Sequence, residues 1–112
     1  MLIYKTELPL DTLDFRKIKL PAKTVEEAVN LVMSIGLQYD MPKMWYQADA
    51  DEEEKEFTIL AIGTGHQWDK LITKANYIGT LPLGDGELVL HYFITDGDLL
   101  KRIYKKEGSI HE

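Results

Sequence analysis

The segment that decides the fold reads Phe57-Thr58-Ile59-Leu60-Ala61-Ile62-Gly63-Thr64-Gly65-His66. Its first part carries apolar residues on both faces of an extended chain, which is typical of a strand buried in the centre of a sheet. The two glycines that follow allow main-chain angles that other residues avoid, and they let a ligand or another segment come close. The segment therefore predicts a central strand that ends in a tight turn, the elbow (residues 63–66), next to an imidazole.

The rest of the chain predicts further strands around this one. Period-two alternation and turn residues place strands at 2–8, 15–20, 32–39, 43–48, 56–63, 77–83 and 87–94. Residues 83–87, Leu-Gly-Asp-Gly-Glu, are the strongest hairpin signal. A second hairpin is predicted between 43–48 and 57–62. Because the connections are short, we expect antiparallel neighbours, and hence a mainly β fold: an antiparallel barrel or sandwich of six or seven strands with one or two short helices.

A short helix is predicted at 24–30, ahead of the third strand. Thr24 is a suitable N-cap, and Glu27 lies at the position that completes a capping box. The alternation of residues 32–39 is that of a strand, so we expect the helix to run directly into it.

The C-terminal segment predicts an amphipathic helix at 98–107. Asp98 is a plausible N-cap, and apolar residues at helical spacing lie opposite four cations: Leu99, Leu100, Ile103 and Tyr104 against Lys101, Arg102, Lys105 and Lys106. Such a short helix needs a surface to pack on, either its own sheet or the sheet edge of a neighbouring copy. We expect a single domain at 1–97 with a helical tail at 98–112, and a homodimer formed through that tail.

Composition narrows the class of protein. At 112 residues and 45% hydrophobic, the chain matches one domain with one core, and the absence of Cys excludes disulfides and thiolate metal sites. Charge appears too early for a signal peptide, and no apolar run has transmembrane length, so we expect a cytoplasmic protein without membrane contact. A net charge of −6 argues against nucleic-acid binding.

Much of the negative charge lies in one run, the acidic loop, which comprises Asp49, Asp51, Glu52, Glu53 and Glu54. Like charges repel one another, so such a run is typical of a solvated loop. Its functional alternative is a surface that meets a basic partner or mimics nucleic-acid phosphates.

Several motifs resemble those of a family of short phage and prophage proteins with an uncharacterised domain. These motifs are Leu20-Pro21-Ala22, Met41-Pro42-Lys43-Met44-Trp45, the G-T-G-H elbow, Tyr77-Ile78-Gly79-Thr80 and Leu88-Val89-Leu90-His91-Tyr92-Phe93. The resemblance covers residues 2–94 and implies two strands joined by a tight turn before the Trp, but no activity. Gln67 and Trp68 replace the usual Pro after the His, residues 23–31 resemble an insertion, and the tail after Ile94 has no counterpart.

The candidate binding residues are Gly63, Thr64, Gly65, His66, Trp68 and His91. Each also has a structural interpretation. The ring of His66 is expected to cap the elbow through a hydrogen bond. His91 is expected to share a face with Val89 and Phe93, with a ring nitrogen bound to the backbone. Trp68 is either anchored on the sheet or exposed for a partner.

Known nucleotide-binding and catalytic signatures are missing around the elbow. The Gly-Thr-Gly step lacks the Lys of a P-loop and the third Gly of a dinucleotide motif. No nucleophile motif accompanies the imidazoles, and His66, His91 and His111 lack metal-ligand spacing, so neither a metal nor a cofactor is expected. Together with the acidic loop, this favours a non-catalytic binding module, and the resemblance to phage and prophage proteins implies that it acts on a host protein or a small ligand. The alternatives are a small hydrolytic enzyme that pairs His66 with Asp69 and a ligand-sequestering protein.

Overall fold

A computed structural model describes residues 1–103, which form seven strands, one α-helix and one 3-10 turn before a final helical segment. The strands are β1 (Leu2–Glu7), β2 (Phe15–Leu20), β3 (Val32–Gln38), β4 (Met41–Ala48), β5 (Lys55–Gly63), β6 (Tyr77–Leu83) and β7 (Leu88–Asp96); helix α1 spans Val25–Leu31 and the 3-10 turn Lys74–Asn76. All seven predicted strands and the first predicted helix are confirmed.

The strands form two antiparallel sheets. Sheet A has the order β1-β4-β3, and sheet B has the order β2-β5-β7-β6. The two sheets do not close into a barrel over the described residues, so that alternative is wrong. The mainly β, antiparallel class is confirmed, and β5 is a central strand, as its apolar sequence predicts.

One apolar cluster joins the two sheets and sets the inner face of each. Met44 of sheet A packs in the same cluster as residues of sheet B and α1, namely Ile18, Leu20, Ala28, Phe57, Ile59, Ala61, Leu81, Leu90, Tyr92 and Ile94. The side chains of β7 alternate, so that Leu90, Tyr92 and Ile94 point into this cluster. The two sheets and α1 therefore share one apolar core.

The connection from β5 to β6 crosses the outer face of sheet B. Both strands pair with β7, which lies between them, so the expectation that short connections join neighbouring strands is wrong at this point. The crossover carries Ile72 onto a second apolar cluster with Leu60, Ile62 and Phe93. Sheet B is thus covered on both faces.

The predicted hairpin around the acidic loop is also wrong. β4 pairs with β1 and β3 in sheet A, whereas β5 pairs with β2 and β7 in sheet B, so the loop passes between the sheets. The hairpin at residues 83–87 is confirmed, because Leu83 pairs with Leu88.

Helix α1 begins at the predicted cap. The Thr24 hydroxyl accepts the main-chain N–H of Glu27 at 3.1 Å. The Glu27 carboxylate accepts the N–H of Lys23 at 2.7 Å, one residue before the cap, which anchors the approach to the helix. Buried Ala28 attaches the helix to the core.

The C-terminal segment is helical from residue 97 up to residue 103, the last one described. Asp96, rather than the predicted Asp98, caps it: the Asp96 carboxylate accepts the N–H of Leu99 at 2.8 Å. Leu99 and Ile103 pack on the second cluster of the same chain. The predicted helix beyond 103, with Tyr104, Lys105 and Lys106, lies outside the described residues, and the homodimer stays a prediction.

Among residues 1–103, the helices lack the length and the apolar character of a membrane-spanning segment.

Candidate functional site

The elbow is held by a hydrogen bond within the turn and by another from the β1–β2 connection. The N–H of His66 donates to the Gly63 carbonyl at 3.1 Å, which closes the turn, and Gly65 has a φ of +88°. Thr12, from the β1–β2 connection, accepts the N–H of Gly63 through its hydroxyl at 2.8 Å. A Cβ on Gly63 would lie 2.9 Å from the His66 Cδ2 atom. The prediction of a positive φ is confirmed at Gly65, whereas at Gly63 an added Cβ would require the exposed His66 ring to shift.

Both ring nitrogens of His91 are bound by threonine hydroxyls. Nε2 lies 2.7 Å from the Thr64 Oγ1 atom, and Nδ1 lies 2.9 Å from the Thr80 Oγ1 atom. The Thr80 hydroxyl in turn shares a short hydrogen bond with the Tyr77 phenol. These residues form one chain of polar groups, Thr64-His91-Thr80-Tyr77, which we call the polar chain. The prediction that a backbone group binds the His91 ring is therefore wrong.

The polar chain adjoins a group of aromatic rings. The Trp68 ring packs on Phe93 with ring centres 4.8 Å apart and a tilt of 37°, and Tyr77 contacts the same Phe93 ring at 5.6 Å. Phe93 is buried, whereas Trp68 is 46% exposed. Trp68 is therefore both anchored on the sheet and open to solvent, which combines the two predicted alternatives.

These groups surround one open pocket of about 320 Å³, the elbow pocket. It is lined by Ile62, Gly63, Thr64, Gly65, His66, Trp68, His91 and Phe93. All six candidate binding residues are thus brought together, although His91 is distant from the elbow in the sequence. They meet because Ile62 of β5 pairs with His91 of β7, and because the crossover returns Trp68 onto Phe93.

The His66 ring is exposed at the rim of the pocket. Within residues 1–103 no hydrogen bond involves its ring nitrogens, and only its main-chain N–H takes part in the turn. The prediction that the imidazole caps the elbow is wrong, and the ring is available to a ligand.

The structure does not show the two residues of the hydrolytic alternative, His66 and Asp69, as a catalytic pair. The Asp69 carboxylate accepts the N–H of Leu71 at 2.9 Å and so shapes the crossover. Among the described residues that line the pocket there is no carboxylate beside His66. No group of three or more His, Cys, Asp or Glu within 1–103 is placed to hold a metal ion. His111 lies outside the described residues.

The acidic loop lies at the other end of β5 from the elbow. Eight residue steps separate the ends of this strand, a distance of about 26 Å at the usual rise, so the two candidate regions are not one site. Asp51, Glu52, Glu53 and Glu54 are exposed, and Asp49 lies 3.0 Å from the amino group of Met1. Burial, together with the nearby Glu54 carboxylate and the Tyr4 phenol, raises the pKa of Tyr46.

Sequence reasoning missed three polar contributors to the site: Thr12, Tyr77 and Thr80. Thr80 and Tyr77 belong to the Tyr-Ile-Gly-Thr motif. Because this motif stands out in the sequence together with the elbow, it could have pointed to these two site residues. Thr12 lies 51 residues before Gly63, and nothing in its local sequence indicates that contact.

Fold and site together define an antiparallel β domain of two sheets with an open pocket of neutral polar and aromatic residues. The chain belongs to the family described as Domain of unknown function (DUF7352), whose model matches residues 1–99. No curated protein and no solved structure matches the chain.

Proposed function

We propose that this domain is a non-catalytic binding module whose contact surface is the elbow pocket. The observation that carries the proposal is the convergence of six residues from β5, the crossover and β7 around one open pocket. Trp68 contributes a half-exposed ring on a fixed support, and large aromatic side chains of this kind often dominate binding energy.

The polar groups of the pocket are suited to recognition more than to bond cleavage. His91 is hydrogen-bonded at both nitrogens, so it positions two hydroxyls. A general base needs an imidazole that is oriented by a third group and directed at a nucleophile, and residues 1–103 provide His66 with no such orienting contact. No observation favours the hydrolytic alternative over binding.

The partner that we propose is a host factor, either a protein or a small ligand, in the host cytoplasm. This follows from the resemblance of the elbow and Tyr77–Thr80 motifs to phage and prophage proteins. The acidic loop is a second proposed surface, which would meet a basic partner, and self-association as a homodimer is compatible with both.

Two exposed aromatic residues on different parts of the surface allow a matched test. Trp68 lines the elbow pocket, whereas Tyr39 is 92% exposed at the β3–β4 turn. Tagged full-length chains, wild type, Trp68→Ala and Tyr39→Ala, are incubated with bacterial lysate, and captured proteins and small molecules are quantified by mass spectrometry. We expect Trp68→Ala to reduce the amount of specifically captured material at least tenfold, and Tyr39→Ala to capture as much as the wild type. Equal capture by all three chains, or selective loss with Tyr39→Ala, would contradict the proposal.

A further inference from the structure

Resting on the proposed binding function, we propose that the elbow pocket binds a small molecule through an uncharged heteroaromatic ring with hydrogen-bond donors and acceptors on its edge. A nucleobase, as in a nucleoside, has this chemistry. Three properties of the pocket lead to this ligand class: its aromatic platform, its polar chain and a lining, within residues 1–103, without lysine, arginine, aspartate or glutamate.

The platform is the Trp68 ring. Phe93 supports it from the sheet at a centroid distance of 4.8 Å, and Tyr77 contacts the same Phe93 ring. Trp68 nevertheless remains 46% exposed and lines the pocket. A supported indole with an open surface is suited to stacking on a planar ring, as in proteins that stack bases on aromatic side chains.

The polar chain supplies the pocket with a hydroxyl group, that of Thr64, which can either donate a hydrogen bond to a ligand or accept one from it. In a neutral imidazole one nitrogen carries the proton and the other accepts. With the proton on Nε2, His91 donates to Thr64, whose own hydroxyl proton is free for a ligand acceptor. With the proton on Nδ1, the Thr64 hydroxyl donates to His91 and its lone pairs are free for a ligand donor. The bonds to Thr64 and Thr80 permit either arrangement, so the pocket matches a ligand edge that carries both kinds of group.

The charge and the volume of the pocket narrow the class of ligand further. Among residues 1–103, no lysine, arginine, aspartate or glutamate lines it. A phosphate or ammonium group held there would lose hydration without gaining a fixed counter-charge, which is unfavourable. A volume of about 320 Å³ lies at the small end of ligand pockets and suits one ring system. The uncharged ring is therefore the group that the pocket recognises.

The experiment is a titration followed by NMR on the full-length Trp45→Phe variant, in which Trp68 is the remaining indole. Trp45 belongs to β4 of sheet A and does not line the pocket. The probes are adenosine, guanosine, cytidine and uridine, with adenosine monophosphate to test charge and purine riboside, which lacks the amino donor of adenosine, to test the edge. We expect at least one nucleoside to give saturable shifts of the Trp68 indole and His91 ring signals at millimolar concentration or below.

Two variants separate stacking from edge recognition. For the nucleoside that binds, Trp68→Leu and Thr64→Val should each lower affinity about tenfold, while Thr95→Val, outside the pocket lining on the same strand as Phe93, should leave it unchanged. If adenosine binds, its monophosphate should bind no more tightly and purine riboside several-fold more weakly. The absence of saturable shifts with all four nucleosides would overturn the inference, as would binding that is insensitive to both pocket variants.

The two proposals fail in different ways. If no nucleoside binds while Trp68→Ala still removes a captured partner from lysate, the binding module stands and the heteroaromatic ligand is wrong. If no nucleoside binds and capture is unaffected by Trp68→Ala, both are wrong.

Discussion

His91 and Tyr92 are neighbours on β7, yet their side chains lie in opposite surroundings. Tyr92 points into the cluster between the sheets, is fully buried, and donates its hydroxyl to the Pro9 carbonyl at 2.8 Å. His91 points to the outer face and contacts two threonine hydroxyls beside an open pocket. The two faces of sheet B therefore have different roles. The inner face packs in the core shared with sheet A, and the outer face carries the candidate site.

The largest expected effect is on the inner side, at Gly79, which pairs with Tyr92 across β6 and β7. An added Cβ would overlap the Ile35 side chain of sheet A, and the φ of +151° is one that other residues rarely adopt. Gly79→Ala should therefore lower the free energy of unfolding by about 3 kcal/mol, from overpacking and backbone strain together. Urea unfolding monitored by tryptophan fluorescence measures this loss.

Gly36→Ala is the matched control in the other sheet. Its added Cβ would meet Trp45 at 3.6 Å, an ordinary contact, so its unfolding midpoint should stay close to that of the wild type. Equal midpoints for Gly79→Ala and the wild type would show that the close approach of Gly79 to Ile35 does not limit the stability of the fold.

Alkaline pH should lower the free energy of unfolding through Tyr92, a residue of the inner face. Burial raises the pKa of Tyr92 to about 12, from its ordinary value of 10. Below pH 10 the phenol is protonated in both states and its contribution to stability is complete. Between pH 10 and 12 the unfolded chain releases this proton first, so stability falls as pH rises, by about 2–3 kcal/mol at most.

Tyr92→Phe is the control for this titration. It should be less stable than the wild type at pH 7 by about 1 kcal/mol, because the Pro9 carbonyl loses its donor. The difference between the two chains should shrink above pH 10 and reverse in sign before pH 12, because the loss in the wild type exceeds the roughly 1 kcal/mol that separates the chains at pH 7. A constant difference from pH 8 to 12 in denaturant unfolding would exclude Tyr92 as the source of the pH dependence.

At the elbow we expect a loss of about 1 kcal/mol for Gly65→Ala. Here an added Cβ meets nothing within 4 Å, so only the φ of +88° opposes the substitution. Gly97→Ala is a clean comparison, because its Cβ also meets nothing within 4 Å and the residue begins the helical segment. Thermal melts should show a lower midpoint for the first variant and an unchanged or higher one for the second.

Two threonines on the outer face of sheet B should have small effects of opposite sign, the smaller of them at Thr95. Thr80→Val removes a partner of His91 and should cost about 1 kcal/mol. The Thr95 hydroxyl is buried and has no hydrogen-bond partner within residues 1–103, so Thr95→Val should stabilise the fold by about 0.5 kcal/mol. Opposite signs in denaturant unfolding are the expected result, and a loss of stability with Thr95→Val would contradict this assignment.

Local sequence predicted the strands because their signals are local. The apolar run from Phe57 to Ile62 indicated a central strand, Thr24 and Glu27 marked the start of α1, and the Gly-Asp-Gly turn marked the β6–β7 hairpin. Each depends on alternation or on hydrogen bonds between residues a few positions apart.

The assignment of strands to sheets was not predictable in the same way. The acidic loop looks like a hairpin turn, but the residues that decide its course are the pairing partners of β4 and β5, which lie elsewhere in the chain. Likewise, the glycines of the elbow were evident, whereas the contacts of Thr12 with Gly63 and of Thr80 with His91 arise only when distant segments are packed together.

The position of β7 between β5 and β6 has a consequence for biosynthesis. β7 is the last of the seven strands to leave the ribosome, yet it is the partner that both β5 and β6 require. While residues 1–87 emerge, one edge of β5 and the strand β6 are without their partner, a state that exposes β-strand edges to other chains. Sheet B therefore completes its pairing only after residues 88–96 have been synthesised, so its assembly is late relative to translation.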